Sequence, residues 1–219
     1  MKFNERCIEV WGSLAMFTDP QTKVCPTSYR APTPSAMRGL LNCIYNKPIE
    51  FYYQINKIEV LKPIKYQNVM TNGLMAETPL KQTDVRDLRT QFNASYLKDV
   101  RYRVWFEIIM RKDTNLDSHV SLQGILNQFD ERIERGAFFR APSLGRKECV
   151  CFFDKPNFDH KPIEATETLG MMLYDVFDFT KYTPENKTKI RRSWFNAIMN
   201  NGVINVPPIE SDLVIKEMG

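Results

Sequence analysis

The chain has 219 residues, 43% of them hydrophobic and 26% charged, with a net charge of +4. These proportions suit one globular domain of ordinary size, or one domain with a smaller appendage, and they exclude a disordered chain. The charge excess is mild and permits a nucleic-acid partner without demanding one.

Residues 3–11, FNERCIEVW, predict a strand, and residues 12–33 an irregular segment carrying Pro20, Pro26 and Pro32. A helix follows. Pro34 suits its first turn, Met37, Leu40, Leu41 and Ile44 fall at i, i+3, i+4 and i+7, and Pro48 stops it by pushing the preceding residue out of the helical region. Residues 50–61, EFYYQINKIEVL, alternate and are rich in aromatic and β-branched types, which predicts a strand. Residues 64–95 show no clear period and read as a long connection. The strongest strand signal is 97–111, LKDVRYRVWFEIIMR. Residues 120–135 predict a helix with Leu122, Ile125, Leu126, Phe129 and Ile133 on one face, and 148–153, ECVCFF, a further strand.

This βαββαβ order predicts an α+β fold, ferredoxin-like (RRM-like), over residues 1–153: a four-stranded antiparallel sheet with both helices on one face. Residues 154–219 predict a small C-terminal antiparallel β domain, with a strand at 169–179 and a hairpin around Asn200-Asn201-Gly202. The stretch KTKIRRSWFNAIM before that turn also fits a helix by period.

Two stretches carry candidate nucleic-acid chemistry. On the strand at 97–111, Tyr102, Val104, Phe106 and Ile108 share one face and should pack under helices, while Arg101, Arg103 and Trp105 share the other. Two guanidinium groups flanking an indole would make a stacking platform with phosphate neutralisers; the plainer alternative is a half-solvated strand with snorkelling arginines. The stretch RIERGAFFRAPSLGRK, residues 132–147, interleaves Arg132, Arg135, Arg140, Arg146 and Lys147 with Phe138 and Phe139, and Gly136 and Gly145 would let backbone approach a phosphate. The plainer alternative there is a solvated loop with two apolar anchors.

The five cysteines, Cys7, Cys25, Cys43, Cys149 and Cys151, are irregularly spaced, and there are only two histidines, His119 and His160. No metal site or disulfide framework is expected from them; they read as reduced, mostly buried thiols in a cytoplasmic protein. No apolar run approaches a membrane span, and MKFNERCIEV lacks the apolar core of a signal peptide.

Two long stretches resemble a known family. MFTDPQTKVCPTSYRAPTPSAMRGLLNCIYNKP, from Met16 to Pro48, is similar to the N-terminal signature of the CRISPR-associated Cas five family in its type I-C branch, also called the d subtype. ERGAFFRAPSLGRKEC, from Glu134 to Cys149, resembles its second block, and LGMMLYDVFDF and FNAIMNNGVINVPP its two closing blocks. The resemblance implies a RAMP fold, a ferredoxin-like domain with a small C-terminal sheet domain. It also implies the RNA-binding subunit of a type I-C Cascade effector. Such a subunit recognises the repeat hairpin of the CRISPR transcript, cuts at its base, and caps the 5′ handle of the mature crRNA beside the backbone and large subunits. That position also allows contact with target DNA near its flanking motif. The implied chemistry needs no metal or other cofactor: the RNA's own 2′-hydroxyl attacks the adjacent phosphorus.

The family's proton-handling residues are a tyrosine at the end of the first helix and a Lys-His pair at the start of the second. Tyr45 lies at the first position, in IYNKP, with Lys47 beside it as a phosphate contact. The pair falls without gaps on Gly124-Ile125, which can neither move a proton nor hold a charge; a small loop shift places Ser118 and His119 there instead. The expected catalytic residues are therefore Tyr45 and His119. The expected RNA-binding residues are Lys47, Arg101, Arg103, Trp105, Arg135, Arg140, Arg146 and Lys147. An endoribonuclease that processes pre-crRNA is the reading adopted. The alternative is a non-catalytic handle-binding subunit, with processing done by another nuclease.

Overall fold

The computed structural model describes residues 2–20, 22, 25–74, 89–112, 119–182 and 192–217. The chain runs β1 (Glu5–Ala15), α1 (Pro34–Ile44), β2 (Phe51–Val60), β3 (Tyr66–Leu74), β4 (Arg89–Met110), α2 (Leu122–Glu134), β5 (Phe152–Asp154), β6 (Glu167–Asp175), β7 (Ser193–Asn200), β8 (Val203–Asn205) and β9 (Val214–Lys216). It is a mixed α and β structure dominated by an antiparallel sheet. The strands lie in the order β5-β1-β4-β2-β8-β7-β6, with β3 added to β4 and β9 to β7.

Both helices begin with a satisfied cap. Thr33 accepts a hydrogen bond from the Ala36 amide with Pro34 following, and Ser121 accepts one from Gly124. The apolar stripes expected of the two helices are buried, Met37, Leu40, Leu41 and Ile44 on α1 and Ile125, Leu126, Phe129 and Ile133 on α2, with Leu122 half-buried at the start of α2. They cover one face of the sheet. On that face Tyr53 stacks edge-on against Phe106 and Phe129, at 5.5 and 6.2 Å, and donates its hydroxyl to the Tyr45 carbonyl at 2.6 Å. One β2 side chain thus touches both helices.

β4 is longer than the 97–111 segment expected. Residues 89–97 pair with β3, so residues 66–74 and 89–95 are strand where a connection was expected; residues 75–88 lie outside the described part. Its other half, Tyr102–Met110, pairs with β2, and β1 lies along the opposite edge. Between the two halves Asp99 adopts a left-handed conformation (φ 51), which aspartate tolerates better than most residues.

The sheet continues past the expected boundary at residue 153, because Lys57–Glu59 of β2 pairs with Val203–Asn205 of β8. The hairpin at Asn200-Asn201-Gly202 forms: Asn201 (φ 47) and Gly202 (φ 74) make the two-residue turn between β7 and β8. The helical alternative for KTKIRRSWFNAIM is overturned over Ser193–Asn200, which is strand. Phe195, Ala197 and Met199 are buried and Asn196, Ile198 and Asn200 exposed, a period of two. All five cysteines are free; Cys149 and Cys151 are buried, whereas Cys25 is exposed. Among the described residues no helix is long and apolar enough to cross a membrane.

Candidate nucleic-acid interface

The end of α1 decides where Tyr45 points. With Pro48 close behind, the helix stops at Ile44, and Tyr45 turns extended (φ −144, ψ 118) while its amide still bonds the Leu41 carbonyl at 2.9 Å. That turn carries the side chain sideways to α2. Its hydroxyl donates to Gln128 Oε1 at 2.5 Å, and its ring sits 5.3 Å from Phe51 with the Arg132 guanidinium 5.2 Å from its centre. Burial raises the pKa of the hydroxyl; Lys47 and Arg132 nearby pull against that without overcoming it. Lys47 is ion-paired with Glu50 at 2.9 Å.

α2 supplies the facing wall. Gln128, Arg132 and Arg135 run along one flank of the apolar stripe of Ile125, Phe129 and Ile133; Gln128 and Arg135 are exposed and Arg132 is half-buried. Arg132 also donates to the Ile44 carbonyl at 3.2 Å, tying α2 to the open end of α1. The helix ends at Gly136, which is left-handed (φ 60), with Ala137 donating back to the Arg132 carbonyl at 2.8 Å. The next turn docks on α1: the amides of Phe139 and Arg140 both donate to the Cys43 carbonyl, at 2.9 and 3.0 Å. A cavity of about 340 Å³ opens here among Gln128, Glu131, Arg132, Arg135 and Ala137. Phe138 and Phe139 stand out of this loop, 50% and 73% exposed, between Arg135 and Arg140.

Tyr45, Lys47, Arg135 and Arg140 thus share one end of the two helices. Arg146 and Lys147 lie farther along the same loop, Arg146 3.9 Å from Glu148. Gly145 (φ 88) is needed for the fold: a Cβ there would lie 1.9 Å from the Met16 carbonyl oxygen. Its backbone meets protein, where a phosphate contact was expected.

The face bearing Arg101, Arg103 and Trp105 is covered, and an open stacking platform does not exist there. Arg103 is 3% exposed; it donates to Glu59 at 2.6 Å and to the carbonyls of Asn157 and His160 at 2.6 and 2.8 Å. Arg101 pairs with Glu9 and lies over Trp11. Trp105 donates to Glu59 at 3.0 Å, with the Lys57 ammonium 4.2 Å from its ring. The segment around Asn157–His160 folds over this face, Phe158 lying 4.9 Å from the Arg103 guanidinium. Two buried glutamates hold the guanidinium groups that alternation alone had offered to solvent.

His119 is exposed and sits two residues before the Ser121 cap; Ser118 lies outside the described residues. Of the gap-free pair, Gly124 is exposed on the first turn of α2, and Ile125 is core, 3% exposed. Gln128 is a neighbour of Tyr45 that the sequence reading did not single out, and Arg132 was named in the basic stretch but left out of the expected RNA-binding set. Their spacing from Gly124, four and eight residues along the helix, was the available signal.

These features define a class: an antiparallel sheet backed by two helices, with a buried tyrosine and a basic, aromatic-flanked cleft where the helices meet, as suits a nucleic-acid-handling protein. The chain belongs to the Cas5 family of CRISPR-associated proteins in its type I-C, or Cas5d, branch: the family model described as CRISPR-associated protein (Cas_Cas5) matches residues 7–207. A protein of Mannheimia succiniciproducens named CRISPR pre-crRNA endoribonuclease Cas5d is 32% identical over 229 aligned positions, covering 94% of this chain and 96% of that protein. A protein of the same name from Thermus thermophilus is 34% identical over 169 positions, covering 77% and 72%. A crystal structure described as a CRISPR-associated protein superposes with a TM-score of 0.70 at 23% identity, covering 96% of both chains. A functionally uncharacterized protein from Streptococcus mutans, SMU1763c, superposes equally well, with a TM-score of 0.70 at 24% identity and 96% of both chains covered.

Proposed function

We propose that this chain is the crRNA-binding subunit of a type I-C Cascade effector, which recognises the repeat, cuts precursor crRNA and stays on the 5′ handle. Its core is read as a ferredoxin-like RAMP domain over residues 1–153, with residues 154–219 as the appended β unit. Its site of action is the cytoplasm. Its partners are the crRNA, the backbone and large effector subunits, and target DNA near its flanking motif. The relatives' name supports this reading, since the Mannheimia protein matches over nearly its whole length.

The observation that carries it is the Tyr45 hydroxyl held between Gln128 and a cluster of cations. In the proposed reaction the 2′-hydroxyl oxygen forms a bond to the adjacent phosphorus and the bond from phosphorus to the 5′-oxygen breaks. The products are a 2′,3′-cyclic phosphate and a 5′-hydroxyl; one proton leaves the nucleophile and one arrives on the departing oxygen, and no metal is required. Tyr45 is a neutral phenol with a proton to give to the departing oxygen; burial raises its pKa and weakens it as an acid, and the nearby Lys47 and Arg132 charges work against that. His119 is the proposed base. Lys47 and Arg132 face the charge that builds on the phosphate, and Arg135, Arg140, Arg146 and Lys147 hold the flanking backbone.

The test is cleavage of the cognate repeat hairpin by the purified chain in EDTA. A single cut leaving a 2′,3′-cyclic phosphate is expected, and His119→Ala should abolish it without loss of binding. A second reading, a holding subunit without cleavage, is favoured by Ile125 being core and Gly124 having no side chain. Tight binding without a cut would establish that reading in place of the first.

A further inference from the structure

Behind the helix exit lies a second cavity, of about 300 Å³, between the end of α1, the start of β2 and residues 177–182. That is the small end of the range for ligand clefts, with room for one ring system and none for a duplex. Asn42 and Asn46 line it on either side of the point where α1 unwinds, and Asn46 directly follows Tyr45. Neither carboxamide hydrogen-bonds any described residue. Each therefore offers a donor and an acceptor side by side, the pattern that matches the edge of a nucleobase.

The rest of the cleft fits the same ligand. Tyr52 and Phe177 supply apolar ring faces, and Phe177 is 43% exposed. Arg38 also lines the cleft: its buried guanidinium pairs with Asp175 and lies 5.3 and 4.0 Å from the rings of Phe177 and Phe179. At the mouth, the exposed Lys181 can meet a phosphate.

Building on the proposed function, we infer that this cleft takes one unstacked nucleobase of the bound RNA, next to the phosphate that Tyr45 addresses. Asn42 and Asn46 read its edge, Tyr52 and Phe177 flank its ring, and Lys181 holds the backbone at the entrance. The cleft adds sequence selectivity to a site whose other contacts are charges.

The experiment measures the affinity of the full chain for the repeat hairpin and for a series of hairpins each lacking one base. With the native chain, one position near the cut should cost about tenfold in affinity when its base is removed. With Asn42→Ala/Asn46→Ala that penalty should vanish at that position only. Asn46→Asp, which keeps the shape and loses the donor, should shrink it, and serves if the double variant melts early. An unchanged penalty profile in both variants overturns the inference and leaves the proposed function standing. Failure of the native chain to bind the intact hairpin overturns both.

Discussion

The Tyr45 hydroxyl reaches across from the exit of α1 to Gln128 in the middle of α2, 2.5 Å away. This bond aims the proton of a buried phenol along a fixed line. It also places that phenol beside Arg132, which is itself tied to the Ile44 carbonyl.

Removing only the hydroxyl should therefore separate chemistry from binding. Tyr45→Phe is expected to slow cleavage about 10²-fold or more and to leave RNA affinity nearly unchanged. Gln128→Ala, which frees the hydroxyl without deleting it, should slow cleavage less. Single-turnover rates on the repeat hairpin check both, and equal rates for Tyr45→Phe and the native chain would remove Tyr45 from the mechanism.

The loop after α2 should carry the ionic part of RNA affinity. Replacing Arg140, Arg146 and Lys147 together with Ala is expected to flatten the slope of log affinity against log salt by about two. Arg140 alone should contribute more than Arg146, whose charge faces Glu148 at 3.9 Å. An unchanged slope would move the RNA to another surface.

Arg103 should behave as a stability residue. Arg103→Ala removes the buried cation between Glu59 and Glu9, leaving them to Lys57 and Arg101, and is expected to cost about 3 kcal/mol in urea unfolding. If the residue touched RNA in the folded protein, affinity would fall while the unfolding midpoint stayed put.

Acid should loosen the same region. Burial works against the ionised form of Glu59, but hydrogen bonds from Lys57 and Arg103 outweigh it and hold its carboxyl below the usual range. A free carboxyl titrates at about 4.3. The stabilising contribution is therefore complete above that value and lost as pH falls through the lower, folded one. Stability is expected to drop as pH descends below about 4.5, and Glu59→Gln should flatten that drop when unfolding midpoints are followed across the acid range.

Gly145→Ala tests the close approach to Met16. With φ at 88 and a Cβ 1.9 Å from the Met16 oxygen, the backbone must move. A fall in Tm of about 5 °C or more is expected.

The parts legible in the sequence were those set by local chemistry. Thr33-Pro34 and Pro48 bound α1, a single apolar stripe marks α2, and Asn201-Gly202 can hardly be anything but a tight turn. The first half of β4 was not legible, because residues 66–70 of its partner β3 are mostly exposed and show no apolar period. Arg103 was read as an open contact for a related reason. An alternating strand looks the same in sequence whether water or protein covers its polar face, and the cover, at Asn157, arrives 54 residues later. Tyr45 was singled out by the family resemblance, whereas Gln128 needed knowledge of which side of α2 faces α1.

The placement of β4 between β1 and β2 bears on how the protein is made. β1, α1 and β2 leave the ribosome first, yet β1 and β2 are not neighbours, and each gains its sheet partner only with β4. Until Met110 has emerged, the nascent chain has no hairpin with which to start this part of the sheet. The apolar sides of β1, α1 and β2 must wait unshielded, a window in which a chaperone or slowed translation would have the most to protect.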